Sequence, residues 1–348
     1  MNLILDNIIF SLQKSGGISI YWYELIKRLI EEKQDFLCFE EDKSCQNIYR
    51  KELTIPEKQI ITKVSCLPVS IRRYLPLNIS KEKLQPESIF HSSYYRILND
   101  DVKYQVVTVH DFTYEYFMSG LSKYVHIAQK KKAIDKADVI ICVSQSTKRD
   151  LLKLYPEFSR KRIEVVHSGV SDAFCQLQGN HEGKVLYVGG RTGYKNFSFV
   201  VELVSRLKNY QLVIVGSPLS VKEERFLDSK LRNRYIMNVH VSEEKLNLLY
   251  NQATCLVYPS SYEGFGVPVI EAMRAGCPVI ALNTSSMPEV CGDAGIMVNE
   301  LSLTEFIKKV KYVEKNRNDF VDKGLAQSQK FSWSKCFNET NEIYKSLQ

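Results

Sequence analysis

Short, continuously apolar runs punctuate the chain. They read "NLILDNII" at 2–9, "DFLCFE" at 35–40, "SIFHSS" at 88–93, "YQVVTVHD" at 104–111, "ADVIICVS" at 137–144 and "RIEVVHSG" at 162–169. Each ends in a polar or glycine-containing turn, and helical stretches separate several of them. Between the first two, Ile18, Trp22, Leu25, Ile26 and Leu29 recur with the helical period, which predicts a helix over 18–30. Strands apolar at every position, alternating with helices, predict a parallel sheet covered on both faces. The glycine-, serine- and asparagine-containing stretch 168–183 reads as a linker, after which the rhythm restarts. Strands are then predicted at "KVLYVGG", "YQLVIVGS", "TCLVYPS" and "CPVIAL", with helices at "NFSFVVELVSRL" and "SEEKLNLLYNQ". Two doubly wound α/β domains of similar size follow, over 1–172 and 173–331. Ligands of such sheets bind beyond the C-terminal strand edges, and two such edges could face each other across a cleft.

A length of 348 residues agrees with two domains, and 44% hydrophobic with 25% charged residues is a globular balance. The nine cysteines are scattered and never spaced C-x-x-C, which points to buried free thiols rather than a disulfide or zinc framework. The first residues carry no basic leader, and no apolar run is long enough to span a bilayer. A cytoplasmic protein, or one bound to a membrane from outside, is the expectation. The net charge of +7 divides evenly, +4 in residues 1–175 and +3 in 176–348, which excludes a dedicated nucleic-acid domain. Arg72-Arg73, Lys130-Lys131-Lys132 and Arg160-Lys161-Arg162 read singly as solvated helix faces. Residues 62–84 differ, because they mix cations with Leu, Ile, Val and Tyr. That segment suits either an anionic membrane surface or packing on its own domain.

The chemistry concentrates in "YPSSYEGFGVPVIEAMRAGCPVIAL", residues 258–282. A strand ends near Tyr258, the chain turns through Gly264 and Gly266, Pro268 opens a helix, and Gly276 stops it. Such a turn aims backbone N–H groups at a ligand above a helix N-terminus, a setting that favours phosphate. Glu263 lies at the lip of this site and Glu271 inside the helix. Carboxylates beside a phosphate site make sense if they hold hydroxyl groups, so one would take a sugar and the other a ribose. That describes a nucleotide-sugar site.

The stretch "EGFGVPVIEAMRAGCPVIA", followed by "SSMPEVCGDAGIMV", closely resembles the signature of glycosyltransferase family 4, retaining enzymes of the GT-B fold with two facing Rossmann-like domains. The segments "GGISIYWYELIKRL", "VTVHDF", "VSQSTKRDL", "YVGGRTGYKNF" and "FSWSKCFNETNEIYKSL" resemble family segments in the family order. The resemblance implies that Glu263 binds the donor sugar and supports charge at the reacting centre, and that Glu271 holds the ribose. Backbone amides around Phe265, Gly266 and Val267 would meet sugar and diphosphate. Lys195 and Arg191 would bind the diphosphate; Arg191 stands one residue later than the family arginine. His110 would contact donor or acceptor sugar, with Asp111 beside it capping the following loop. Gly16 and Gly17 would let backbone approach the donor phosphate or the acceptor. The last residues, 332–348, resemble the helix that crosses back to the first domain.

With no Asp-x-Asp in the sequence, the implied transfer needs no metal or cofactor, and the leaving phosphate itself aids front-face attack. Ser286 with Glu289 reads as a capping box. The implied product is a bacterial surface polysaccharide, built from a nucleotide sugar (leaning to GDP-mannose) on a lipid-linked glycan acceptor. Alternatives are a nucleotide-sugar epimerase of the same fold and a non-catalytic binding member. A dehydrogenase would need G-x-G-x-x-G after the first strand, and "DNIIFSLQKSGG" lacks it.

Overall fold

The computed structural model describes residues 2–41, 45–62, 67–79, 87–99, 102–179, 181, 183–191 and 193–347. The chain divides into two compact units. Unit 1 comprises Met1–Gly169 and Trp333–Gln348, and unit 2 comprises Val170–Ser332.

Unit 1 is built on a seven-stranded sheet in the order β3-β2-β1-β4-β5-β6-β7. The strands are β1 Leu3–Asp6, β2 Phe36–Glu40, β3 Ile60–Thr62, β4 Ile89–Ser92, β5 Tyr104–Val109, β6 Val139–Cys142 and β7 Arg162–Val165. Every neighbouring pair is parallel. β1, β4 and β6 are buried at every position, which is why they read as unbroken apolar runs. The helix Gly17–Glu31 covers one face with Tyr21, Trp22, Leu25, Ile26 and Leu29. The terminal helix Trp333–Ser346 adds Trp333, Phe337 and Tyr344 to the same core. There the Tyr344 hydroxyl meets His91 Nδ1 at 2.6 Å, and His91 Nε2 meets Thr108 Oγ1 at 3.0 Å.

Unit 2 carries a six-stranded sheet in the order β10-β9-β8-β11-β12-β13, again all parallel. Its strands are β8 Lys184–Val188, β9 Gln211–Gly216, β10 Tyr235–Val239, β11 Cys255–Tyr258, β12 Val279–Leu282 and β13 Ile296–Val298. The strand order reverses direction between β8 and β11, so the loops that leave these two strands stand at the switch point.

Three sequence expectations change. Residues 7–9 are not strand: β1 stops at Asp6, whose side chain accepts from the Ile8 N–H at 3.2 Å, and Ile8–Leu12 is helical. The edge strands β3, β10 and β13 were not expected, being short or partly exposed. The 168–183 stretch is more than a linker. Cys175 and Leu177 donate their N–H groups to Asn247 at 3.1 Å and Asn251 at 2.6 Å, strapping it to the helix Glu243–Gln252.

Candidate active site

The two switch-point loops of unit 2, Gly189–Asn196 after β8 and Pro259–Gly266 after β11, are laced together. The Asn196 side chain donates to the Pro259 carbonyl and to Ser261 Oγ, both at 2.8 Å, and the Ser261 N–H donates to the Tyr194 carbonyl at 2.8 Å. Asn196 holds a left-handed backbone, φ 53°, to make these bonds. Strain of this kind persists where surrounding bonds enforce it. The lacing brings the Lys195 ammonium onto the Glu263 carboxylate, an ion pair with both side chains largely buried. Lys195 also lies over the rings of Tyr194 at 5.3 Å and Tyr258 at 5.7 Å.

The loop after β12 braces the same turn. Ser285 Oγ accepts from the Glu263 N–H at 2.9 Å, from a backbone again left-handed at φ 46°. Ser286 Oγ donates to the carbonyls of Glu263 at 3.0 Å and Phe265 at 2.7 Å. Ser286 therefore does not form the expected capping box: it precedes the helix Met287–Cys291, but its side chain makes no cap bond. Parallel strands β11 and β12 leave the sheet side by side, so adjacent loops are the ones able to bond. Sequence reading missed Ser285 and took Ser286 for a helix cap; their doublet after an apolar strand was the available signal.

Gly266 sits at φ +106° as the cap of the helix Val267–Arg274. A Cβ there would run into the Met287 methyl, so the position needs glycine twice over. The helix begins at Val267, one residue before Pro268, and stops before Gly276 at φ +70°. The Phe265 ring is core, edge-to-face on Phe331 at 5.5 Å, which leaves its backbone to serve the turn.

Glu271 is carried one turn into the helix, where the buried Tyr250 hydroxyl donates to its Oε2 at 2.9 Å. Burial, reinforced by Glu243 and opposed by that hydrogen bond, raises the Glu271 carboxyl to about 7. Tyr250 is another residue that sequence reading missed, because its run "NLLYNQ" reads as ordinary helix core.

Arg191 is turned elsewhere. Its guanidinium donates to Glu223 at 2.6 Å and to the carbonyls of Ser217 at 2.9 Å and Pro218 at 2.8 Å. These bonds tie the loop after β8 to the capping box that opens the helix Val221–Leu231, and they hold the Glu223 carboxyl down to about 2.

His110 and Gly17 belong to unit 1. His110 follows the last residue of β5, its ring edge-on to Tyr21 at 5.1 Å. Burial and the Lys130 charge lower its pKa to about 4 against the opposing pull of Asp111, so the imidazole is neutral at physiological pH. Asp111 accepts from the Thr113 N–H at 2.9 Å, a turn bond that starts the next helix. Gly17 opens the helix Gly17–Glu31 with clear space around its Cα, whereas a side chain at Gly16 would meet Gln13.

This arrangement has relatives. Residues 15–174 match the model of Glycosyltransferase Family 4, and residues 174–327 match that of Glycosyl transferases group 1. The O-antigen chain mannosyltransferase B of Escherichia coli is 28% identical over 269 residues, 70% of each chain. The O-antigen chain mannosyltransferase RfbU of Salmonella typhimurium is 28% identical over 215 residues, which is 60% of this chain and 61% of that protein. Among solved structures, the sucrose-phosphate synthase of Thermosynechococcus elongatus superposes with a TM-score of 0.79 at 17% identity, covering 99% of this chain and 98% of that one. Anabaena HepE, solved with UDP and glucose, gives 0.73 at 14% identity and 99% coverage of both. These likenesses make the fold GT-B. With matched models running from residue 15 to residue 327, a glycine-capped turn and a paired Lys and Glu at the switch point, the chain belongs to glycosyltransferase family 4.

Proposed function

We propose that this glycosyltransferase moves a hexose, mannose in the first instance, from a nucleoside-diphosphate donor to a lipid-linked glycan of a bacterial surface polysaccharide, retaining the anomeric configuration. It would work at the inner face of the cell membrane. The observation that carries the reading is the Lys195–Glu263 pair, set at the switch point beside the positive end of the Val267–Arg274 helix. The mannose and O-antigen parts rest on the names of the two bacterial relatives.

Cleaving the anomeric C–O bond leaves the electron pair and negative charge on the diphosphate. Lys195 and the helix N-terminus stabilise that charge as it develops. Glu263 accepts hydrogen bonds from the sugar hydroxyls, and Glu271, when ionised, accepts them from the ribose. The acceptor hydroxyl attacks from the face the phosphate leaves, and its proton passes to the departing phosphate oxygen. His110, neutral at pH 7, contributes hydrogen bonding to a sugar hydroxyl rather than charge. No metal or cofactor is assigned a role.

The test is thermal stabilisation by a panel of GDP-, UDP- and ADP-sugars, with Lys195→Ala alongside, followed by transfer assays with the donor that binds. A ligand at 100 times its dissociation constant adds about 2.7 kcal/mol of stability. Stabilisation by one nucleotide class, weakened in the variant, is the expected result. Melting curves unmoved by every sugar nucleotide would refute the donor site.

A further inference from the structure

Among the described residues of unit 1, every exposed large hydrophobic side chain except Ile48 comes from two stretches, 67–75 and 116–125. The helix Leu121–Lys136 is the centre of this anomaly, because its polarity is inverted. It buries His126 and Lys130 with Ala133 and Ile134, and it turns Leu121 (79% exposed), Tyr124 (67%) and Val125 outward. Its inward lysine is fully accommodated: the Lys130 ammonium pairs with Glu115 and donates to the Asp111 carbonyl, both at 2.9 Å, above the Phe112 ring. Packing within unit 1 leaves Leu121 and Tyr124 largely uncovered.

The second stretch lies alongside. Gln129 donates to the Arg73 carbonyl, and a cavity of about 320 Å³ separates Tyr74 and Leu75 from Val125 and Ala128, with Lys132 at its edge. The helix Val69–Arg72 buries none of its side chains, and Ile71, Tyr74 and Leu75 are exposed. Residues 67–75 and 116–134 together hold six Lys and Arg and no Asp or Glu. Arg72 and Lys130 are spent on Glu41 and Glu115, and Lys131 reaches Glu157. Lys123 donates to the Glu115 carbonyl at 2.8 Å and the Arg73 guanidinium lies over the Tyr94 ring at 4.6 Å, so Lys132, exposed at the cavity, is the cation left beside the apolar side chains.

An apolar face of this extent marks an interaction surface, and the exposed Lys132 at its cavity, next to Lys131, favours an anionic partner although Glu115 and Asp135 flank the stretch. We propose that the face formed by residues 67–75 and the outward side of the Leu121–Lys136 helix docks the enzyme on an anionic phospholipid bilayer. Leu121, Tyr124 and Ile71 enter the headgroup boundary while Lys132 meets lipid phosphate. This deepens the reading of a lipid-linked acceptor, yet its test scores membrane binding rather than transfer, so either can fail alone. Of the 62–84 segment read as suiting either a membrane or its own domain, residues 63–66 and 80–84 lie outside the described residues; the face proposed here uses 67–75 and adds the helix whose Lys130-Lys131-Lys132 run reads as a solvated face, although Lys130 is buried.

The experiment is co-sedimentation of the full chain with phosphatidylglycerol-containing vesicles and with pure phosphatidylcholine vesicles, at low and high salt. The wild type should bind the anionic vesicles, bind the neutral ones at least about tenfold less, and lose affinity as salt rises. The exposed double variant Leu121→Ser/Tyr124→Ser should lower binding about tenfold or more, with unchanged melting and unchanged stabilisation by sugar nucleotides. Lys132→Glu should lower it several-fold. Equal binding to both vesicle types, no binding to either, or a double variant that binds like wild type would each overturn the proposal. So would a wild-type dimer that the double variant converts to monomer without altering vesicle binding, since the face would then join two copies.

Discussion

Replacing Glu271 by glutamine should stabilise the ligand-free protein above neutral pH while weakening its hold on nucleotide. The carboxyl is buried beside Tyr250 and within the influence of Glu243, and its pKa stands at about 7 instead of 4.5. An acid whose folded pKa is raised contributes stability that is complete below the unfolded value. That contribution is lost as pH rises through the folded one, because between the two only the native state keeps the proton. At about 1.4 kcal/mol per tenfold change, the span from 4.5 to about 7 corresponds to about 3 kcal/mol of strain in the ionised native state. Glutamine keeps an oxygen to accept from the Tyr250 hydroxyl and removes the charge. Thermal melts of both proteins should nearly coincide at about pH 5 and separate by about pH 8, with the variant higher. At roughly 2–4 °C per kcal/mol for a domain of this size, the gap should reach about 6–12 °C. Donor binding should reverse the order, since ribose hydroxyls bond best to a carboxylate. Wild-type affinity should fall about tenfold per pH unit below 7, and the variant should be weak and flat. A melting gap that ignores pH, or widens toward acid, would refute the reasoning.

Lys195→Ala leaves Glu263 without its cation in a largely buried place; it should cost about 2 kcal/mol of stability and lower kcat/KM about a hundredfold or more, with Glu263→Ala restoring part of the stability in the double variant. Ser286→Ala removes the donor shared by the Glu263 and Phe265 carbonyls, so about 1 kcal/mol of stability should go, with a larger proportional loss in donor affinity by titration. Gly266→Ala forces a side chain onto φ +106° and into Met287; melting should fall by at least about 1–3 kcal/mol equivalent, and Met287→Ala should rescue only the steric part. Arg191→Ala unties Glu223, Ser217 and Pro218 and should lower the melting temperature while leaving the donor dissociation constant unchanged. A raised dissociation constant with normal melting would return Arg191 to the diphosphate.

Where burial is complete, the sequence is legible. β1, β4, β6, β11 and β12 have no exposed position, so their apolar runs announce them. β10 and β13 leave positions in partial contact with solvent and carry weaker patterns. Within the site, the glycine turn with Glu263 and Glu271 stands out because its special backbone leaves marks in the sequence, while Lys195 is placed by the family resemblance. The braces leave no such mark. Ser285, Ser286 and Asn196 act through loops joined only by sheet order, and Tyr250 meets Glu271 from another helix. Arg191 shows the same limit from the other side: its loop position suggests a diphosphate ligand, and the sequence does not reveal that its fork also fits the carbonyls of Ser217 and Pro218 and the carboxylate of Glu223.

Unit 1 is assembled from residues 1–169 and a helix that begins at Trp333, with the 163 residues of unit 2 between them in the chain. Trp333, Phe337 and Tyr344 fill the same core as Trp22, and Tyr344 supplies the hydroxyl on which buried His91 depends. During synthesis, the middle of the chain therefore has everything it needs before the beginning does. The first seven strands wait with an open core until the ribosome has passed Tyr344. A chain cut just after Ser332 would hold a finished unit 2 attached to a unit 1 that lacks the Trp333–Ser346 helix, a species that quality control can recognise by its uncovered Trp22 face.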